Sequence, residues 1–423
     1  MMKIHIDIDC FFVSAARIVD RSLQHKPVVI GGRSDTKIFS KEAKNQTVNF
    51  QNSGSFVPTF YKDYEQKDDD IDNFMENGRL RGILTTASYE ARAFGIKTAM
   101  SLQEAKRLCP HLIIKAPNMS LYQTLSYKLH QFLSLKIPLI EQASIDEFYG
   151  DLTGWVEEED VEAFIDALRH EIKKELQLPV SIGAAPTRYI AKLATTYAKP
   201  FGCKTIYHHN FDHFVNPIEV QHFAGIGKTM QHKLHSNKIY TLGALRKSKG
   251  MLHSWGPYAQ ELYRRVNGES DSAIKPKQER KSIGISRTFD PLFCRKELRR
   301  RVHILARHLC FAIFKLQVIP TTFHLSIAYE MGQKSHINIS KAEIFTEQKF
   351  TQLLVEMFTK ADTQRRLHVI RLSFHCGSFT KHSHKELSLI GFNEEQKMHT
   401  LFQTTQQLRQ KYGLDILKYG IEL

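Results

Sequence analysis

Apolar and polar positions along the chain predict a mixed protein of several domains. Lys3–Ile8, reading Lys-Ile-His-Ile-Asp-Ile, has the pattern of a short buried strand, and Asp9–Arg17 that of the helix after it. Pro27–Ile30 is a second apolar strand, closed by Gly31-Gly32. From Arg33 to about Gly78 no period is sustained. Order returns with a strand over Ile83–Ala87 and a helix from Tyr89, and Ser101 is placed to cap a helix over Leu102–Leu108. Ala143–Thr153 reads as a strand pair around an acidic tip. Val161–Leu176 reads as an amphipathic helix, Val180–Ala184 as a strand, and Thr187–Ala198 as a helix stopped by Pro200 and Gly202. Phe223–Leu245 reads as helix, tight glycine turn, helix, and the charged surroundings of Pro276 as a linker.

Beyond the linker the predicted order is strand (Lys281–Phe289), helix (Arg295–Leu316), strand (Thr322–Tyr329), strand (His336–Phe345), helix (Glu347–Thr359), strand (His368–Phe374). This β-α-β-β-α-β series is ferredoxin-like and suits a separate small domain.

Composition narrows the function. The 423 residues carry a formal net charge of +15, which favours a polyanionic partner, nucleic acid first. No apolar run approaches a membrane span. Met1–Arg17 does not read as a signal peptide. The six cysteines contain no C-x-x-C pair, so a reduced, cytoplasmic protein without zinc or disulfides is expected.

Three carboxylates stand in apolar surroundings: Asp7 in the first strand, and Asp146-Glu147 within Ala-Ser-Ile-Asp-Glu-Phe-Tyr. Charges so placed are costly unless paired or metal-bound. Neighbours in a regular strand face opposite ways, so Asp146 and Glu147 share a site only if the backbone bends between them. Such oxygen ligands suit Mg²⁺, and two ions can activate a hydroxyl and steady a departing pyrophosphate. The plainer reading pairs these acids with basic neighbours. Asp9 faces elsewhere and is read as structural.

With their flanks these residues resemble the metal motifs of the Y-family DNA polymerases, the DinB/UmuC type. Ile6-Asp7-Ile8-Asp9-Cys10-Phe11-Phe12 and Ala143–Glu147 are similar to its two metal motifs, and Thr86–Gly95 to its fingers motif. Lys192 through Ala198–Gly202 is similar to its palm lysine motif, Gly225-Ile226-Gly227-Lys228 to its thumb hairpin, and Lys281–Phe289 to its first little-finger strand. The resemblance implies an α+β right-hand fold. Its parts are a palm (residues 1–10 and 117–206), fingers (11–116, with an insertion at about 34–78), a helix-hairpin-helix thumb (207–275), a little finger (276–380) and a tail (381–423).

It further implies template-directed, error-prone synthesis past damaged bases, with Asp7, Asp146, Glu147 and the Ile8 carbonyl holding two Mg²⁺ ions, Mn²⁺ being an alternative. The nucleotide falls to Cys10, Phe11, Phe12, Thr86, Tyr89, Arg92 and Lys199, with Phe12 as the steric gate against a 2′-hydroxyl. Primer-template DNA falls to Lys192, Gly225, Gly227, Lys228, Lys281 and Arg287. The glycine turn exposes backbone N–H groups that suit a phosphate. Residues 281–315 hold nine Lys and Arg against Asp290 and Glu297, read as a phosphate-contacting excess. Glu386–Phe392 resembles a sliding-clamp peptide with Glu for Gln, and the end from Lys411 resembles the UmuC branch, which suggests an accessory subunit.

Two departures from the family stand out. Gly32 and Arg81 are separated by 48 residues, where the family has a handful. The insertion is read as a surface loop, or as a partner site or lid, dispensable for extension. Ala15-Ala16-Arg17 also replaces the Glu usual after the double Phe. Other functions weighed are a silent DNA-binding accessory protein, a nucleotidyl cyclase and a metal nuclease. The three carboxylates oppose the first, the basic little finger the second, and Phe12, Tyr89 and Arg92 in their motifs the third.

Overall fold

Isoleucines alternating with His5 and Asp7 put β1 (Lys3–Ile8) at the centre of a sheet, with Ile4, Ile6 and Ile8 fully buried. In this computed structural model residues 1–40, 47–48, 60–61, 70–76, 78–270, 273–276, 280–341, 345–381 and 392–422 are described. They divide into two compact units. Residues 1–32 and 70–276 belong to the first, and residues 33–40 and 280–422 to the second.

In the first unit α1 (Phe11–Val19) follows β1, and β2 is Val28–Gly32. Two short ribbons come next in the chain: β3 (Thr47–Val48) with β4 (Phe60–Tyr61), which belongs to the second unit, and β5 (Met75–Glu76) with β6 (Arg79–Leu80), which belongs to the first. Then come β7 (Ile83–Ala87), α2 (Tyr89–Arg92), α3 (Leu102–Leu108), β8 (Ile113–Lys115), α4 (Met119–Lys136), β9 (Leu139–Gln142) and β10 (Glu147–Asp151). The series α5 (Val161–Leu176), β11 (Val180–Ala185), α6 (Arg188–Ala198) and β12 (Cys203–Thr205) completes a five-stranded sheet of order β12-β11-β1-β10-β9. α6 lies close on β11 because Gly183 leaves room: a Cβ there would stand 2.2 Å from the Ala191 carbonyl oxygen. A second sheet, β7-β2-β8, carries the segment read as fingers. Ser101 caps α3 as expected, accepting the Glu104 N–H at 3.2 Å. Five helices follow, α7 (Phe211–Val215), α8 (Lys228–Ser236), α9 (Leu242–Arg246), α10 (Lys249–Ser254) and α11 (Pro257–Val266), around their own apolar core.

The expected strand pair over Ala143–Thr153 lies differently. Its first strand is β9, and residues 143–146 form the turn, with the Ala143 and Ser144 N–H groups both donating to the Glu147 carbonyl. Polar and apolar residues alternate irregularly over Glu141–Glu147, so local pattern does not mark where the strand ends and the bend begins. The first helix likewise begins at Phe11 rather than Asp9, because Cys10 adopts a left-handed conformation (φ 45°) as its N-cap.

The second unit follows the expected β-α-β-β-α-β order: β13 (Ser282–Leu292), α12 (Arg295–Leu316), β14 (Val318–Tyr329), β15 (Lys334–Ser340), α13 (Glu347–Ala361), β16 (Val369–Lys381). The sheet order is β13-β16-β14-β15, so each β-α-β crossover spans an intervening strand. Two further pieces join its core. Ile38 and Phe39, from the start of the stretch read as a fingers insertion, are buried there. Arg301 lies over both the Phe39 and Phe289 rings, and Arg300 donates to the Phe39 carbonyl at 2.6 Å. The far end of the stretch packs in the first unit, where Asp70 accepts the Ala116 N–H and Phe74 is buried. The insertion is therefore not a plain fingers loop at either end.

Residues 386–391 of the clamp-like segment lie outside the described residues, and Phe392 begins α14 (Phe392–Tyr412). Arg409 pairs with buried Glu347, and buried Arg307 reaches Glu422 at 2.8 Å and Asp415 at 2.9 Å.

Candidate active site

Register brings the acidic residues together. Asp7 on β1 faces Glu147, the first residue of β10, across an antiparallel pair. Asp146 precedes that strand in the turn, and its carbonyl accepts the Ile8 N–H at 3.1 Å. The bend required between Asp146 and Glu147 is thus present. Ser144 builds it: its hydroxyl accepts the Glu147 N–H at 3.0 Å and donates to Asp146 Oδ1 at 2.5 Å.

Two lysines meet the carboxylates. Lys199, just after α6, places Nζ 2.5 Å from Asp7 Oδ1. Lys192, two turns earlier on the same helix face, bonds both Glu147 oxygens at 2.6 and 2.7 Å. The sequence reading gave Lys192 to DNA; here it balances a carboxylate, a pairing that only the packing of α6 on the sheet creates. His5, on the same β1 face as Asp7, sits 3.8 Å from Glu147 and hydrogen-bonds Thr195 at 2.9 Å. The period-two pattern could have found His5, as the Ser-x-Asp spacing could have found Ser144.

Charges follow the environment. Burial raises the Asp7 carboxyl above its usual range, against the opposing pull of Lys199. Burial also raises Asp146, with the Ser144 hydrogen bond opposing it. Burial would raise Glu147 too, but the His5 contact and the Lys192 charge hold it down at about 2. Burial keeps His5 below its ordinary value and hence neutral. Among the described residues no three His, Cys, Asp or Glu side chains are gathered as a metal shell. The donor set nevertheless fits a hard cation: it is oxygen-only and anionic, and its charge is balanced by two mobile lysine heads.

Around this centre Phe12 stacks on Tyr122, ring centroids 4.2 Å apart and nearly parallel. Phe11 packs on both rings. Cys10 is buried, and burial pushes its thiol up to about 11. Thr86 is buried at the end of β7, paired with Ile30. Tyr89 donates its hydroxyl to Asp9 at 3.2 Å, and Arg92 lies over the Tyr89 ring while Nε donates to the Ala87 carbonyl.

The predicted DNA residues are spread more widely. Gly227 caps α8, which Lys228 opens, and Gly225 takes φ 102°, a conformation that favours glycine. In the second unit Lys281 is exposed and Arg287 half-buried. The basic excess there is partly structural. Arg295 pairs with Asp362, Arg300 and Arg301 pair with Glu297, and Arg307 is buried. No helix among the described residues is long and apolar enough to cross a membrane.

Comparison with known proteins places this geometry. Residues 6–196 match the impB/mucB/samB family and residues 280–389 its C-terminal domain. DNA polymerase IV of Bacillus anthracis is 30% identical over 99% of this chain and 93% of its own length. DNA polymerase IV of Lactococcus lactis subsp. cremoris is 33% identical over 68% of this chain and 69% of its own. Among solved structures, a Y-family DNA polymerase chimera superposes with a TM-score of 0.73 at 20% identity, covering 90% of this chain and all of that one. DinB from Sulfolobus solfataricus gives 0.53 at 19%, covering 89% and 98%. The chain belongs to the impB/mucB/samB family, the Y-family polymerases, and is a DNA-directed DNA polymerase of the translesion type.

Proposed function

We propose that this polymerase inserts deoxynucleotides opposite damaged template bases with low fidelity, by two-metal transfer of dNMP to a primer 3′-hydroxyl. The observation that carries the reading is the meeting of Asp7 on β1 with Asp146 and Glu147 at the facing bend, each bonded by a lysine ammonium or the Ser144 hydroxyl. Asp7, Asp146, Glu147 and the Ile8 carbonyl are the residues that would hold magnesium. The bound ions would supply activation of the hydroxyl and neutralisation of the leaving pyrophosphate.

The protein's own residues do the rest. Lys199 leaves Asp7 for the triphosphate, and Tyr89 and Arg92 meet the same phosphates from α2. Phe12, braced by Tyr122, presents a flat ring where a ribose 2′-hydroxyl would fall and so selects dNTPs. Backbone N–H groups at the start of α8 take a DNA phosphate without reading sequence, and Lys281 and Arg287 take others. A sliding clamp or an accessory subunit is a further partner suggested by the tail sequence.

The test is primer extension with Mg²⁺ and dNTPs on undamaged and abasic templates, comparing wild type with Asp146→Ala/Glu147→Ala. Extension by wild type alone is expected. Extension by both proteins overturns the assigned centre; extension by neither, with primer-template binding intact, overturns independent polymerase activity.

A further inference from the structure

Asp9 sits two residues past Asp7, and its carboxylate is taken up by hydroxyl and backbone donors rather than by the lysines of the acidic centre. It is 2% exposed, in surroundings that would penalise a lone carboxylate. Donors from three separate elements meet it. The Ser181 hydroxyl, on β11, lies 2.8 and 3.0 Å from its two oxygens. The backbone N–H of Phe201, in the turn after α6, donates to Oδ2 at 2.7 Å. The Tyr89 hydroxyl, from α2, donates to Oδ1 at 3.2 Å. The Asp9 backbone is pinned as well, its N–H to the Pro179 carbonyl and its carbonyl by the Ser14 hydroxyl at 2.6 Å.

One of these donors belongs to the groups that the proposed function assigns to the triphosphate, and a second lies beside another. Tyr89 is the first. Phe201 is two residues beyond Lys199 and holds φ 43°, an uncommon backbone conformation kept only where neighbours enforce it. Asp9 enforces it from the N–H side. Arg169 does so from the other, donating to the Phe201 carbonyl at 2.8 Å and lying over its ring.

We infer that Asp9 is a positioning residue for the incoming nucleotide, fixing Tyr89 and the Lys199–Gly202 turn before the triphosphate arrives. This rests on the polymerase reading above. Tyr89 has a single O–H, and phosphate oxygens only accept. Burial raises the phenol well above its ordinary value, so the proton stays on it throughout. When the triphosphate binds, the Tyr89 O–H turns from Asp9 to a phosphate oxygen, while Asp9 keeps Ser181 and the Phe201 N–H. No bond is made or broken. Asp9 touches no reacting atom, so its effect belongs in nucleotide KM rather than in kcat.

Single-nucleotide insertion by the full chain tests this with Asp9→Ala, Asp9→Asn, Tyr89→Phe and the two doubles. Asp9→Ala is expected to raise the dNTP KM about tenfold, because the nucleotide must then order Tyr89 and the Lys199–Gly202 turn itself. Its kcat should stay within about threefold and the primer-template Kd unchanged, since neither depends on a hydrogen bond made behind the nucleotide. Asp9→Asn keeps one accepting oxygen and should recover part of the KM. In the Tyr89→Phe background either Asp9 change should cost less than alone. A normal KM in folded Asp9→Ala, or strict additivity with Tyr89→Phe, overturns the inference. If Asp9→Ala does not fold, a normal KM for Asp9→Asn does so instead. An inactive wild type would count against the polymerase reading and is told apart from either result.

Discussion

Lys199 stands with its ammonium 2.5 Å from Asp7 Oδ1, so the residue proposed for the triphosphate already pairs with a carboxylate proposed for the metal. On that proposal the lysine and a divalent cation compete for one carboxylate. Lys199→Met should act in opposite directions on two measurements. Mn²⁺ affinity without nucleotide, read by titration calorimetry, should tighten severalfold because the competitor is gone. The dNTP KM should rise about tenfold or more, because a charged phosphate partner is lost. Both quantities moving the same way would separate Lys199 from one of its two roles.

The steric gate proposed at Phe12 is only as firm as its support. The Phe12 ring lies flat on Tyr122 at 4.2 Å, and Tyr122 is buried. Phe12→Ala should raise rNTP insertion relative to dNTP by about a hundredfold or more, with dNTP insertion little changed, since a steric clash discriminates without binding the correct sugar. Tyr122→Leu keeps the gate ring but removes its backing, so a smaller loss of discrimination, about threefold to tenfold, is expected. Competition between labelled rNTP and dNTP measures both. Unchanged discrimination in Tyr122→Leu would mean that Phe12 is held by other contacts alone.

Much of the centre was legible from local pattern. An apolar strand with acids at alternate places, and an Asp-Glu pair in an apolar run, locate β1 and β10, and the Ser101 cap is local chemistry. The Lys192 pairing was not legible, because it depends on α6 lying across the sheet at Gly183. Nor was Asp9's role, since its donors come from positions 89, 181 and 201. The start of the insertion was misplaced for the same reason: nothing near Ile38 and Phe39 in sequence shows that α12 and β13 will bury them.

That misplacement has an energetic consequence. Phe39 is 5% exposed, edge-on to Phe289, with Arg301 over both rings. Phe39→Ala should cost the second unit about 3–5 kcal/mol, the usual range for a buried Phe. The unfolding transition of that unit, followed by urea titration of the full chain, reports it. A cost below about 1 kcal/mol would put Phe39 back among ordinary surface-loop residues.

Acid should expose the Lys192–Glu147 pair. The Glu147 carboxyl is held at about 2 in the folded protein, below its ordinary 4.5. A depressed folded value means that the folded state binds fewer protons than the unfolded one. Its stabilisation is therefore complete above about pH 4.5 and is lost as pH falls from there towards 2. Urea unfolding of chelator-treated protein should show wild type losing more stability between pH 5 and pH 3 than Glu147→Gln, which has no carboxylate to protonate. Lys192→Ala should fall between the two in slope: without the ammonium the carboxyl moves part of the way back up, while the His5 contact still holds it down. Parallel stability curves for all three proteins would show that Lys192 and Glu147 do not interact in solution as they do in the fold.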